Sequence, residues 1–411
     1  MPRIIFLNRY FYPDHSATSQ ILSDLALHLA AGGRDVHVVT SRQRYDDAKS
    51  PLPAREKAGG VDIHRVSSTR FGRSSLPGRG LDYLSFYAGA WTAALALTRP
   101  GDILVAKTDP PLLSILAAKV ARRCGAQFIT WLQDLYPEVA SQLGVPLTGG
   151  LFGALLSHRR DRSLSCAANN VVLGTRMAAR LAARGIAPER ISVIANWVDD
   201  EQIVPVPRND NPLRTQWGLQ DKFVVGYSGN LGRAHEFATV LGAAERLRGN
   251  ANIAFLLVGG GKQFEELAAA AAARGLQHAF HFVPYQDRAA LKYSLSVPDV
   301  HWISLRPELE GLLFPSKFYG ALAAGRPVIA ITAANGEIAE LVRRQNCGAA
   351  VAPGEDDTLA AVLTELSQDE ARRDEMGRRA RELLEAKFAR RHALARWEDV
   401  LNRVSAASAR P

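Results

Sequence analysis

The feature that most constrains this chain is a repeated exchange between two hydrophobic periods. Short runs rich in β-branched and aromatic residues occupy 4–8, 36–40, 61–66, 103–107, 127–132, 170–173 and 191–195. Between them, apolar residues return at helical spacing, as with Ile21, Leu22, Leu25 and Leu29 in 19–31. Segment 111–123 does the same, with two prolines ahead of its first helical turn. Strand–helix alternation of this kind predicts a parallel sheet covered on both faces. The pattern pauses at 204–212, where three prolines and three Asn/Asp residues favour neither period and read as a linker. It restarts with 223–228, 253–258, 281–283, 300–305 and 328–331. At 411 residues the chain exceeds one ordinary core. The expectation is α/β, with two Rossmann-like, doubly wound domains, 1–205 and 206–385, facing a central cleft. The last stretch, 386–411, is helical over 386–404 and free to pack back on the first domain.

Composition narrows the class. Hydrophobic residues are 47% and charged residues 22%, as in globular proteins. Cys124, Cys166 and Cys347 lie far apart, which argues against a disulfide framework or a zinc site. The first residues run straight into Ile4-Ile5-Phe6-Leu7 without the longer apolar region of an export leader, so a cytoplasmic chain is expected. Segment 81–97 is apolar but short for a bilayer span and broken by Asp82. It reads as a buried helix or as a membrane-contacting one.

Charge is uneven. Residues 1–205 carry 24 Lys/Arg and 17 Asp/Glu (24 − 17 = +7), and the remainder 26 and 24 (26 − 24 = +2). A basic first half suits an anionic acceptor or an anionic membrane surface, or serves only solubility. Nucleic acid is disfavoured, because no basic stripe is interleaved with aromatics.

In doubly wound sheets, ligands sit beyond the carboxyl ends of the strands, which directs attention to the βα loops. The first, 9–19, lacks G-x-G-x-x-G, which counts strongly against a nicotinamide enzyme. Its length favours binding, with Asp14, His15 and Ser16 as acceptor-loop candidates; Ser16, Thr18 or Ser19 could equally cap the next helix. After 127–132 comes Asp134, placed to hold a sugar hydroxyl or to cap a helix. Asp109, before two prolines, reads as a cap. The second half opens with Tyr227-Ser228-Gly229-Asn230-Leu231-Gly232-Arg233, a strand entering a glycine turn whose amides can cradle phosphate beside the Arg233 charge. A second glycine turn, Gly259-Gly260-Gly261, is not a P-loop and reads as a ligand site or a tight turn. The richest loop, 304–317, holds Arg306, Glu308, Glu310, Pro315, Ser316 and Lys317. Lys317 falls in a first helical turn, where the dipole disfavours a cation, and a bound diphosphate would resolve that conflict.

Taken together, these segments resemble glycosyltransferase family 4 with the GT-B architecture. The resemblance rests on Tyr12-Pro13, Gly33-Arg34-Asp35-Val36, Gly229-Asn230-Leu231, Val258-Gly259-Gly260-Gly261, Glu310-Gly311 with Pro315, and Ala321-Leu322-Ala323-Ala324-Gly325-Arg326-Pro327. It is nearest to the branch that assembles bacterial surface polysaccharides of colanic-acid or O-antigen type. It implies a retaining, metal-independent hexosyl transfer from a nucleoside-diphosphate sugar, UDP-sugar favoured, with no other cofactor. A lipid-linked saccharide acceptor and peripheral contact with the inner membrane are implied partners. Glu310, Lys317 and Asp134 become catalytic candidates. Gly229, Asn230, Arg233, Gly260, Glu308, Pro315 and Ser316 become nucleotide-sugar candidates. The sequence departs from the family pattern in four ways, the first being that the usual pair of glycines in the first loop becomes Ala17-Thr18 or nearby. The second acid of Glu-x7-Glu falls on Phe318 or Gly320, the family's Arg and Lys near the glycine turn fall on Asn230 and His235, and a common His before Asp134 is Gln133. An epimerase of the same architecture and a non-catalytic nucleotide-sugar-binding subunit are the alternatives.

Overall fold

A computed structural model describes residues 2–14, 16–44, 51–72, 76–146 and 148–408. The chain forms two units. One gathers the residues up to Ala195, the short segment Gly311–Leu313 and everything from Ala393 onward; the other holds Asn196–Glu310 and Phe314–His392.

The first unit is built on eight strands: β1 (Ile4–Leu7), β2 (Val36–Ser41), β3 (Arg55–Ala58), β4 (Val61–Val66), β5 (Ile103–Ala106), β6 (Gln127–Trp131), β7 (Asn169–Val172) and β8 (Ile191–Val193). Their order is β3-β4-β2-β1-β5-β6-β7-β8. All pairs are parallel except β3 with β4. The central β1 and β5 are continuous apolar runs buried along their whole length, because helices cover both faces of the sheet. The second unit holds β9 (Phe223–Asn230), β10 (Ile253–Gly260), β11 (Phe280–Val283), β12 (Val300–Ser304), β13 (Val328–Ile331) and β14 (Gly348–Val351). Its order is β11-β10-β9-β12-β13-β14, parallel throughout.

Two strands lie outside the expected set, for identifiable reasons. β3 is Arg-Glu-Lys-Ala, an exposed edge with no apolar signal. β14 is Gly-Ala-Ala-Val, too small-residued to register as β-branched. The proline-rich stretch is also not a loose linker. Val206 donates its amide to Ser296 Oγ at 3.2 Å and accepts from Arg326 Nη2 at 2.8 Å. Asn211 caps the following turn through Leu213 N and reaches the Tyr293 carbonyl.

Helix Leu76–Leu97 buries Phe86, Ala90 and Ala94. Asp82, the acid that breaks its apolar run, is 1% exposed. Its carboxylate accepts from Thr69 Oγ1, Phe71 N and Gly72 N and faces Arg9 Nη2 at 3.5 Å, so it anchors a neighbouring loop. Among the described residues no helix is long and apolar enough to cross a membrane.

The last helix, Arg390–Ser408, belongs to the first unit from Ala393 onward. Trp397 is fully buried against Trp131, ring centres 4.6 Å apart. Glu398 meets His28 Nε2 at 2.7 Å. Arg396 and Arg403 donate to the Val193 carbonyl and Ser192 Oγ, dressing the sheet edge at β8.

Candidate active site

In the second unit, strand order reverses between β9 and β12. That is the position where open α/β sheets bind ligands, beyond the carboxyl ends of their strands. Three segments meet there: the end of β9, the end of β10, and the loop from β12 to the helix Lys317–Ala323.

Glycine is required by shape at this point. Gly229, Gly259 and Gly261 have φ of 125°, 137° and 117°, a region that side chains rarely allow. A Cβ on Gly259 would overlap the Gly229 carbonyl, and one on Gly229 would lie 3.1 Å from Lys317 Cε. Leu231 N donates to the Gly260 carbonyl at 2.8 Å, and Tyr227 Oη to the Asn230 carbonyl at 2.9 Å. Two glycine turns are thereby closed onto each other.

Lys317 lies over this cradle. Its Nζ sits 3.1 Å from His235 Nε2 and 5.7 Å from the Tyr227 ring centre. Burial pushes its pKa down to about 8. His235, 6% exposed, is pushed down to about 3 by burial and by the Lys317 charge, so the imidazole is neutral. Its Nδ1 is 2.7 Å from the Ser304 carbonyl, which can only accept. The loop carrying His235 is pinned twice more to the end of β12: Glu236 N donates to Ser304 Oγ at 3.1 Å, and Arg306 N to the Ala234 carbonyl at 3.1 Å.

The other candidates of this unit spread along the same loops. Asn230, the last residue of β9, and Arg233, in the turn after it, are exposed. Glu308 is paired with Arg306; its own backbone amide and that guanidinium hold its carboxyl below the usual range. Glu310 accepts from Glu337 N at 2.9 Å, at the start of helix Glu337–Gln345. Pro315 is buried and Ser316 half-buried just ahead of Lys317.

In the first unit the reversal lies between β1 and β5. Asp134 follows β6 and bridges antiparallel to Leu313, while Leu135 N donates to the Leu312 carbonyl at 2.8 Å. Burial, then the Asp109 charge, pushes Asp134 up to about 6. Burial also raises Tyr83, Tyr87 and Tyr136, and Asp109 acts on all three, so these acids and phenols form one polar cluster. Lys107, 1% exposed, donates to the Thr18 carbonyl at 2.9 Å and lies 3.9 Å from the Trp131 ring centre. Burial lowers it to about 7, with Asp109 pulling the other way. In the loop after β1, Asp14 is buried and accepts from Ser16 N at 2.8 Å, a turn that starts helix Ala17–Ala31. Ser16 Oγ is buried without a hydrogen-bond partner. His15 lies outside the described residues.

The sequence reading did not select Tyr227, Ser304 or Lys107, and it named His235 only as a departure from the family pattern. Their common signal is position: each lies on, or in the loop following, a strand beside a reversal of order. Asp35, His37 and Asp62 bring ligand-type atoms within 4.8 Å of one another. They sit at the amino ends of β2 and β4, and Lys57 Nζ already lies 3.3 Å from Asp62.

Comparison with known proteins gives a consistent picture. Residues 17–197 match the family described as glycosyl transferase 4-like domain, and residues 210–383 match glycosyl transferases group 1. The "Probable glycosyltransferase WbjE" of Pseudomonas aeruginosa is 25% identical over 311 residues, 75% of this chain and 76% of its own length. WcaI of Escherichia coli (strain K12), which carries the name of a colanic acid biosynthesis glycosyl transferase, is 26% identical over 351 residues, 82% and 85% of the two chains. Among solved structures, Anabaena Alr3699/HepE in complex with UDP-glucose superposes with TM-score 0.72 at 16% identity, covering 99% of this chain and 100% of that one. A sucrose-phosphate synthase from Thermosynechococcus elongatus gives 0.77 at 18%, with the same coverage. At these identities the structural likeness is one of fold, GT-B.

Proposed function

Since the chain is a glycosyltransferase, 4-like in its first part and group 1 in its second, we propose that it moves a hexose from a UDP-sugar onto a lipid-linked saccharide during assembly of a bacterial surface polysaccharide. The observation that carries the donor half of this reading is Lys317. A half-buried cation at the strand-order reversal, over a glycine cradle, is a costly arrangement unless an anion completes it. A diphosphate does so.

The donor's diphosphate lies along Gly229, Asn230, Gly260 and Ser316, with Lys317 and Arg233 meeting the charge that grows as the glycosidic bond to phosphate breaks. No metal is invoked for that task. Glu310, anchored at the start of helix Glu337–Gln345, positions the donor sugar, with Glu308 and Pro315 shaping its loop. Asp134 holds the acceptor hydroxyl, and the departing phosphate takes the proton, as retention of configuration allows. The loop of Asp14, His15 and Ser16 lies on the acceptor side. A thermal-shift panel of UDP, GDP, ADP and TDP tests the donor reading, with UDP expected to stabilise most. Stabilisation by none of them would falsify it. The anomeric configuration of the product, read by NMR, tests retention. Incubation with UDP-sugar alone and no isomerised sugar formed separates transfer from epimerisation.

The acceptor reading is supported by helix Gly150–Ser165. Leu151 is 93%, Phe152 53% and Leu155 42% exposed, and Arg159 and Arg162 are exposed on the same helix. Apolar side chains beside arginines suit an anionic bilayer interface, here the cytoplasmic face of the inner membrane. Flotation with anionic against neutral liposomes tests this; equal recovery would remove charge-driven attachment.

A further inference from the structure

We propose that His235 is the positioning residue of the donor site, a neutral imidazole that fixes one bond of the Lys317 ammonium so that the remaining N–H bonds are held ready for the donor's diphosphate. The proposal rests on the donor-site reading above and adds a residue that the glycosyltransferase pattern fills with a cation.

The assignment follows from which atoms can donate. The Ser304 carbonyl has only lone pairs, so at 2.7 Å the proton must be on His235 Nδ1. Burial and the adjacent ammonium keep the second ring nitrogen unprotonated. Nε2 therefore presents a lone pair, and Lys317 Nζ at 3.1 Å donates to it. The imidazole cannot easily turn away, because its loop is bonded to the end of β12 through Glu236 N to Ser304 Oγ and Arg306 N to the Ala234 carbonyl. Ser304 ends the strand on one side of the order reversal, and Gly229, against whose backbone the Lys317 stem lies, is near the end of the strand on the other. The chain of carbonyl, imidazole and ammonium thus spans the reversal. A flexible four-carbon side chain is held in one pose before any ligand arrives, which lowers the ordering cost of binding.

A cation in place of His235 could not do this. It would add charge but repel Lys317 and offer no acceptor.

The test uses the full chain and the nucleoside diphosphate that stabilises it most, UDP being expected. Binding is measured by calorimetry from pH 6 to 9.5. His235→Phe keeps the buried volume but removes the acceptor. Its affinity should fall about tenfold or more at pH 7, the scale of one charge-assisted hydrogen bond. The alkaline loss of binding should begin at lower pH than in wild type, because a half-buried ammonium without its acceptor gives up its proton more readily. His235→Gln, whose amide can offer both a donor and an acceptor, should recover most of the affinity and the wild-type pH limb. A His235→Phe protein that matches wild type in affinity and pH limb overturns the proposal. Ring 15N NMR of histidine-labelled wild type gives a readout independent of variant folding. The proton should stay on Nδ1 between pH 5 and 9, and a proton on Nε2 overturns the assignment. Lys317→Ala separates the two levels. If that variant binds as wild type does, the donor site itself is misplaced; if it loses binding while His235→Phe does not, only the positioning role fails.

Discussion

In the donor site proposed above, most of the chemistry is assigned to a single side chain. Lys317 sits where its charge is costly, and that cost gives two predictions of opposite sign. Lys317→Ala should lower turnover at least about tenfold, because one charge-assisted contact to the diphosphate is lost; steady-state kinetics against donor would show it. Lys317→Met should instead raise the stability of the ligand-free chain at pH 7 by roughly 1–2 kcal/mol, since a partly desolvated ammonium is replaced by an apolar chain of similar length. The same variant should lose the UDP-dependent rise in melting temperature. The pH dependence has a definite sign. The folded pKa near 8 lies below the ordinary 10.5, so this group's share of stability is complete above 10.5 and is lost as pH falls through 8. Donor affinity runs the other way and weakens as pH rises through that value. Lys317 drew attention in the sequence because it opposes the dipole of its helix, and it does begin the helix Lys317–Ala323. His235 was not, because its role depends on Ser304 and Lys317, both remote in the chain. Asp14 stood out as a loop acid, yet its carboxylate closes a turn onto Ser16 N, a local use that a sequence reading cannot separate from ligand binding.

At the scale of elements, the glycine turns after β9 and β10 and the helix Gly150–Ser165 each support a distinct expectation. Gly259→Ala places a methyl group against the Gly229 carbonyl in a backbone conformation that side chains avoid. Both strand ends must separate, so nucleotide-induced stabilisation should disappear even where the chain still folds. Calorimetric titration with UDP distinguishes this from wild type. On helix Gly150–Ser165, Leu151→Asp with Phe152→Asp removes exposed apolar surface and adds negative charge. Flotation with anionic vesicles should drop severalfold while the melting temperature stays within about 1–2 °C, as exposed positions allow. Strands were readable where β-branched residues ran together in the middle of a sheet. They were silent at β3, whose polar sequence suits an edge, and at β14, whose small residues carry little hydrophobic signal. Glycines marked the turns correctly, but only the three-dimensional closeness of Gly229 and Gly259 explains why both must be glycine.

On the scale of the whole molecule, alternating periods were enough to anticipate two parallel-sheet units, because the requirement to cover both faces leaves few other arrangements. They left the last stretch free to pack back on the first domain without showing where it goes. From Ala393 onward, helix Arg390–Ser408 belongs to the first unit, with Trp397 filling space beside Trp131. Trp397→Ala should therefore cost about 3–5 kcal/mol. The loss should appear as a lower melting transition with unchanged UDP-induced stabilisation of the remaining fold, read by differential scanning calorimetry. That Trp is one apolar residue in a charged, alanine-rich stretch, and nothing local announces where it goes.

The membership of that helix also reverses the usual order of completion on the ribosome. Residues of the first sheet emerge early, but the surface that Trp397 covers stays wet until the whole second sheet has been translated. A nascent chain stalled anywhere before residue 390 exposes that apolar seam for as long as the stall lasts, which makes it a natural station for chaperone capture.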